Sequence, residues 1–168
     1  MDAYTLDTTL FGEIEITQSN GLFEDFDIIL GGKSMTVTLN IVEDVATDNA
    51  MKIVEDMLNN IPIMYEKGKK VILDGKDSNA LIESFISLYF SHYDIGSYLD
   101  FFGVDSKNGV TTTMIAERLE PRTISIGNDK DSMIDCTFDF SLPPEYTDQL
   151  LVIRFDEKNE ICFIAHES

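Results

Sequence analysis

Positive charge is scarce in this chain. Its 12 lysines and arginines face 31 aspartates and glutamates, so the formal net charge is −19 and the sequence pI is about 4.1. Such a chain repels nucleic-acid phosphates and anionic membrane surfaces, and it holds no basic patch with which to bind either. Cysteine is nearly absent: Cys136 and Cys162 are the only two, too few for a secreted disulfide framework. Histidine is equally rare, with only His92 and His166. Zinc asks for three or four converging ligands, and neither H-E-x-x-H nor C-x-x-C is present. No apolar run approaches the roughly 20 residues of a membrane helix. Met1-Asp2-Ala3 begins without the basic and apolar regions of a signal peptide, so a cytoplasmic protein is expected.

Phosphate-binding and nucleophile motifs are missing too. The chain has no G-x-x-x-x-G-K-[ST], no G-x-G-x-x-G and no G-x-S-x-G. Gly31-Gly32-Lys33-Ser34 resembles the tail of a phosphate loop, but it joins two expected strands, whereas a phosphate loop needs a following helix. Gly-Gly is what a tight hairpin needs, so a hairpin is expected there.

What is present argues for a folded chain. Hydrophobic residues make up 43% and aromatics 10% of 168 residues, enough for one domain, residues 1–168, with a substantial core. The acid is uneven. Residues 1–46 carry nine acidic groups against Lys33 alone, residues 47–100 nine against five, and residues 101–168 thirteen against six.

Periodicity predicts an α+β order of strands, helices, then strands. Residues 10–17 alternate, with Leu10, Ile14 and Ile16 on one side and Phe11, Glu13, Glu15 and Thr17 on the other. Ser19-Asn20-Gly21 reads as a turn. Residues 22–30 and 33–42 follow as strands, joined by Gly31-Gly32, completing an N-terminal antiparallel three-stranded meander. On that meander Glu13, Glu15, Asp25 and Asp27 fall opposite the apolar rows, with Glu24 an exception in the inward row. The period then becomes 3.6 after Thr47, a helix cap: Ala50, Ile53, Val54, Met57, Leu58 and Ile61 recur at helical spacing until Asn60 and Pro62 end the helix. Residues 63–73 read as a further helix. Ser78 or Asn79 caps another, with Leu81, Ile82, Phe85, Ile86, Leu88 and Tyr89 on a broad apolar face. Residues 94–110 are loop-like, although residues 98–104 are apolar and expected to pack. Residues 111–119 form a short helix ending before Pro121.

Strands return with residues 122–126. Residues 133–140 alternate, with Ile134, Cys136, Phe138 and Phe140 inward, and Pro143-Pro144 then breaks the chain. Residues 146–168 read as a terminal hairpin, two apolar strands around Asp156-Glu157-Lys158-Asn159-Glu160. Strands apolar on both faces suit a sheet centre, so this hairpin is expected in the middle of the sheet with helices packed on it. Both cysteines fall in strands and are expected to be buried and reduced.

Ligand constellations are thin. His92 with Asp94, and His166 with Glu167, are pairs near element ends and read as exposed histidines. Asp105-Ser106-Lys107-Asn108-Gly109 puts lysine where a calcium loop needs oxygen, and Asp129 with Asp131 lacks further ligands. No metal, cofactor or catalytic residue is assigned. Carboxylates are so abundant that no pair singles itself out.

The motifs MIAERL, PRTISIG, DCTFDFS and TDQLLVIRFDEKNEICFIAHES, with the early FGEIEI, resemble a family of small acidic bacterial proteins described only as a domain of unknown function. The likeness spans about two-thirds of the chain. It implies an α+β fold like that above, and it implies no activity and no site residue. The function expected from the residues is a non-catalytic binding domain, of immunity or inhibitor type, that turns Glu13, Glu15, Asp25 and Asp27 towards a basic partner protein. Two alternatives are a hydrolase built on carboxylates or a metal beside His92 or His166, and a structural subunit of a homo-oligomer with an apolar patch at Tyr98, Phe101 and Phe102.

Overall fold

Alternation along the strands sorts one large sheet into an apolar face and a polar face. The computed structural model describes residues 3–17, 22–42, 47–91, 98–128 and 133–168. Strands β1 (Ala3–Thr8), β2 (Gly12–Thr17), β3 (Leu22–Leu30) and β4 (Lys33–Ile41) precede helices α1 (Asp48–Gly75), α2 (Ala80–Ser91), α3 (Leu99–Phe102) and α4 (Thr112–Arg118). Strands β5 (Glu120–Asn128), β6 (Ile134–Ser141), β7 (Leu150–Phe155) and β8 (Ile161–Glu167) follow. Six strands form one sheet in the order β3-β4-β5-β6-β7-β8, parallel only between β4 and β5. That parallel step is where all four helices are inserted, since parallel neighbours need a long crossover.

The inner row Phe26, Val37, Ile124, Phe138, Ile153 and Ile164 crosses all six strands in register and is apolar throughout. The adjacent outer row Asp25, Thr38, Ser125, Thr137, Arg154 and Phe163 holds no buried residue. Helices α1 and α2 lie on the inner face only. Sheets that are mainly antiparallel tolerate a largely wet face, and in this one Val152 is a buried exception on it. Helix α1 approaches closest at Gly68, where a Cβ would stand 2.7 Å from the Phe140 ring. The buried apolar residues of both layers, Val152 of the outer face apart, form one cluster.

The α+β composition and the order of elements agree with expectation. The sheet layout does not. There is no three-stranded meander: β2 pairs with β1, a strand that periodicity did not single out, in a separate two-stranded ribbon. The ribbon buries Leu6, Ile14 and Ile16, and it is tied to α1 by Asp7 N–H to Glu55 (2.9 Å) and Thr9 N–H to Asn59 (2.7 Å). Strands β3 and β4 form the expected hairpin, but as one edge of the large sheet. Gly31 and Gly32 both take positive φ (55° and 80°), which glycine tolerates and other residues resist. Ser19-Asn20-Gly21 lies outside the described residues.

Pro62 does not end the helix it was expected to end. Thr47 caps α1 as expected, its hydroxyl accepting from Ala50 N–H, and the helix continues for 28 residues. A mid-helix proline costs about 3 kcal/mol. Here buried Val54, Met57, Leu58 and Ile61 before it, and Met64, Tyr65, Gly68 and Ile72 after it, hold both halves against the core as one helix. Asn79 is the cap of α2, accepting from Leu81 and Ile82 N–H.

The terminal hairpin is not the sheet centre. Strand β7 is second from the edge and β8 is the edge. Leu151, Ile153 and Phe155 are buried inward, but in β8 every residue is half-buried or exposed. A register shift between Arg154 and Phe155 leaves Cys162 without a cross-strand partner, which is how a bulge re-aims a side chain. Cys162 is therefore exposed, against expectation, while Cys136 is buried. Strand β7 separates them, and both are free thiols. Among the described residues no helix is long and apolar enough to cross a membrane.

Candidate functional site

The outer sheet face gathers acid. Asp25, Asp27, Asp135, Asp139 and Glu167 share it, and Arg154 is its one cation among the described residues. The aspartates are held in place by threonines. Thr38 donates to Asp25 (2.7 Å), Thr36 to Asp27 (3.1 Å), Thr137 to Asp135 (3.2 Å), and Thr123 to Asp139. Three of these pairs are cross-strand neighbours, where side chains on one face meet. Arg154 sits 3.5 Å from Asp135 and stacks on Phe163. A hydroxyl fixes a carboxylate's direction without neutralising it, so the face keeps its negative charge.

Of the four carboxylates expected to act together, Asp25 and Asp27 lie exposed on this face. Glu13 and Glu15 are exposed on β2 of the separate ribbon, so the four do not share one sheet. Asp135 and Asp139 were not singled out, although the alternation of residues 133–140 had placed them outward.

The other expectations fall as follows. His166 is exposed, its Nε2 2.6 Å from Gln149 Oε1 and its ring edge-on to Phe85, with no carboxylate in that contact. His92, Asp94, Asp129 and Asp131 lie outside the described residues. Asp105 stands in a turn before a short 3-10 segment, Lys107–Gly109. Among the described residues no group of three or more His, Cys, Asp or Glu converges as metal ligands would. Phe102 is buried, and Tyr98 and Phe101 are half-buried against Tyr146, so the patch expected at an oligomer contact is a packed aromatic cluster. The Cys162 thiol is pushed up by partial burial and by nearby Asp156 and Asp135, which disfavours the reactive thiolate.

A second, opposite constellation stands at one end of the sheet. Lys33 and Lys69 pair with one carboxylate, Glu120, and Arg118 and Arg122 line the same cleft beside it. Tyr65 donates its hydroxyl to Glu120 Oε2 (2.7 Å). Lys69 Nζ donates to the carbonyls of Leu119 (2.6 Å) and Glu117 (2.8 Å) at the end of α4, and reaches Glu120 Oε1 at 3.3 Å. Burial lowers the Lys69 pKa, opposed by Glu120 and assisted by Lys33. Burial and the Glu120 carboxylate raise that of Tyr65. The Gly31 turn closes over this group so tightly that a Cβ would stand 2.6 Å from the Tyr65 hydroxyl.

Beside it opens a cleft of about 170 Å³ lined by Lys33, Arg118, Glu120 and Arg122, with Pro121, Leu142, Pro143 and Pro144 as apolar wall. Arg122 Nη2 donates to Thr147 O (2.6 Å), Ser141 Oγ (3.1 Å) and Leu142 O (3.4 Å). Arg118 donates from Nε to Phe101 O (3.0 Å), with its guanidinium over the rings of Phe101 and Phe102. Only the run Arg118-Leu119-Glu120-Pro121-Arg122 hinted at this cluster in the sequence, because Lys33 and Lys69 arrive from distant elements.

Comparison with known proteins gives no match to a family model, a curated protein or a solved structure, and the likeness to a small acidic family rests on sequence motifs alone.

Proposed function

We propose that this chain is a non-catalytic binding domain that presents the outer face of its six-stranded sheet to a basic partner protein, in the manner of an immunity or inhibitor protein. The observation that carries this reading is the acidic face itself: five carboxylates against one guanidinium on a six-stranded sheet whose opposite face takes helices α1 and α2, among the described residues. Oriented like charges on a flat scaffold steer an oppositely charged partner and fix its approach. Asp25 and Asp27 belong to the edge of that surface, and Asp135 and Asp139 to its middle. Glu13 and Glu15, on the ribbon, add to the general field.

The test compares the wild type with D25K/D27K as baits in lysate of the native host, washed over a salt series and read by mass spectrometry. A single basic protein held by the wild type at low salt, released at high salt and absent from the variant supports the reading. Purified, that protein should associate with the variant about tenfold more slowly at low ionic strength, since steering is a long-range effect screened by salt. Equal capture by both baits, or equal association rates, overturns it.

A further inference from the structure

The acidic face leaves the cleft at the other pole of the charge distribution without a role. We propose that this cleft binds a small oxyanion, the phosphate or carboxylate group of a small ligand, between Lys33 and Arg118.

Two of the four cations there are committed to the fold. Lys69 is spent on two main-chain carbonyls and Glu120, and Arg122 on three acceptors of the β6–β7 connection. The other two are only partly so. Lys33 keeps 59% of its side chain exposed and stands 3.8 Å from a Glu120 oxygen that Lys69 already reaches more closely. Arg118 makes its one hydrogen bond through Nε, to Phe101 O, and its guanidinium is held by two aromatic rings. Its terminal nitrogens meet no carboxylate among the described residues.

Four cations near Glu120, against Glu120 itself with Glu117 and Glu66 the neighbouring carboxylates, leave local positive charge in a chain whose net charge is −19. That excess lines a concave wall of prolines and Leu142, where a low-dielectric surround strengthens ionic hydrogen bonds. A fixed guanidinium fork beside a mobile ammonium is the usual way to hold a tetrahedral or planar oxyanion. The cleft's size suits the anionic group and a few further atoms.

The experiment is an NMR titration of the full chain with inorganic phosphate and, separately, acetate, at ionic strength held constant with sodium chloride. The expected result is a saturable shift of the Gly32, Lys33, Arg118 and Ser141 signals by one or both anions beyond that of chloride, and the stronger anion identifies the ligand's head group. K33Q and R118Q should each weaken binding about fivefold, as loss of one charge-assisted hydrogen bond predicts. K158Q, an exposed lysine in the β7–β8 turn, should leave it unchanged. If R118Q disturbs the packing on Phe101, K33Q still decides, because Lys33 sits on an exposed turn. No saturable shift at tens of millimolar anion, shifts matched by chloride, or equal affinity in K33Q overturns the proposal.

Discussion

The outer sheet face and the end cleft handle charge in opposite ways. On the face, carboxylates stand on alternate positions of separate strands. Each aspartate is oriented by a threonine, and the apolar core behind them would pack as well without them. In the cleft, cations are drawn into the structure. Lys69 closes the end of α4, Arg122 laces the β6–β7 connection, and Glu120 ties helix α1 to strand β5 through Tyr65. One region spends little stability on its charges and leaves them free for a partner. The other uses most of its charges to hold the chain together and leaves two over. A charged group is thus informative about function when its hydrogen bonds lead nowhere structural, and informative about the fold when they do.

That contrast can be tested by substitution, beginning where the effect should be largest. Arg122→Ala should cost about 3 kcal/mol, because Ser141, Leu142 and Thr147 all lose their donor at a half-buried site. Urea denaturation measures it, and a loss below about 0.5 kcal/mol would mean the connection does not depend on the guanidinium. Gly31→Ala should cost about 2 kcal/mol, combining the strain of positive φ with contact on the Tyr65 hydroxyl.

Tyr65→Phe should cost about 1 kcal/mol near neutral pH, and it carries a pH signature. The folded pKa of Tyr65 is raised above the ordinary tyrosine value of 10.0, so above about that pH the unfolded chain loses a proton that the folded chain keeps. The stability it lends is therefore complete below that value and falls as pH rises towards the folded pKa. Spectrophotometric titration should show one fewer ionisation-resistant tyrosine in the variant than in the wild type.

The smallest effect is expected on the outer face. Asp25→Asn with Asp27→Asn should change stability by less than about 0.5 kcal/mol, since both are exposed and bonded only to threonine hydroxyls. A loss as large as that of Arg122→Ala would erase the distinction between the two regions.

Local patterns carried most of the elements. The alternation of residues 133–140 marked β6 and its inward side correctly, Gly31-Gly32 marked a hairpin, and Thr47 and Asn79 stand at the helix starts proposed for them. Failures came where a local signal competed with burial. Pro62 is a breaker taken alone, yet the buried stripe on both sides of it overrides the cost. The apolar run of residues 150–155 was taken as a sign of cover on both faces. It holds Leu151, Ile153 and Phe155 inward and Val152, also buried, on the other side, yet β7 is second from the edge and β8, its neighbour, is half-buried or exposed throughout. On the acidic face, Asp25 and Asp27 were legible from period two. Their grouping with Asp135 and Asp139 was not, because strands far apart in sequence had first to be brought into one sheet.

Local sequence was enough to establish an acidic α+β protein, the Gly31-Gly32 hairpin, and which side of most strands is apolar. Those properties depend on neighbours two to four residues away, through side-chain alternation, capping and the backbone freedom of glycine. Only the tertiary structure decided which strands are neighbours, which hairpin is an edge, and that Lys33, Tyr65, Lys69, Arg118, Glu120 and Arg122 meet at one end of the sheet. Such meetings join residues up to 89 positions apart, and their energy depends on burial and on distances of a few ångströms that no local pattern encodes.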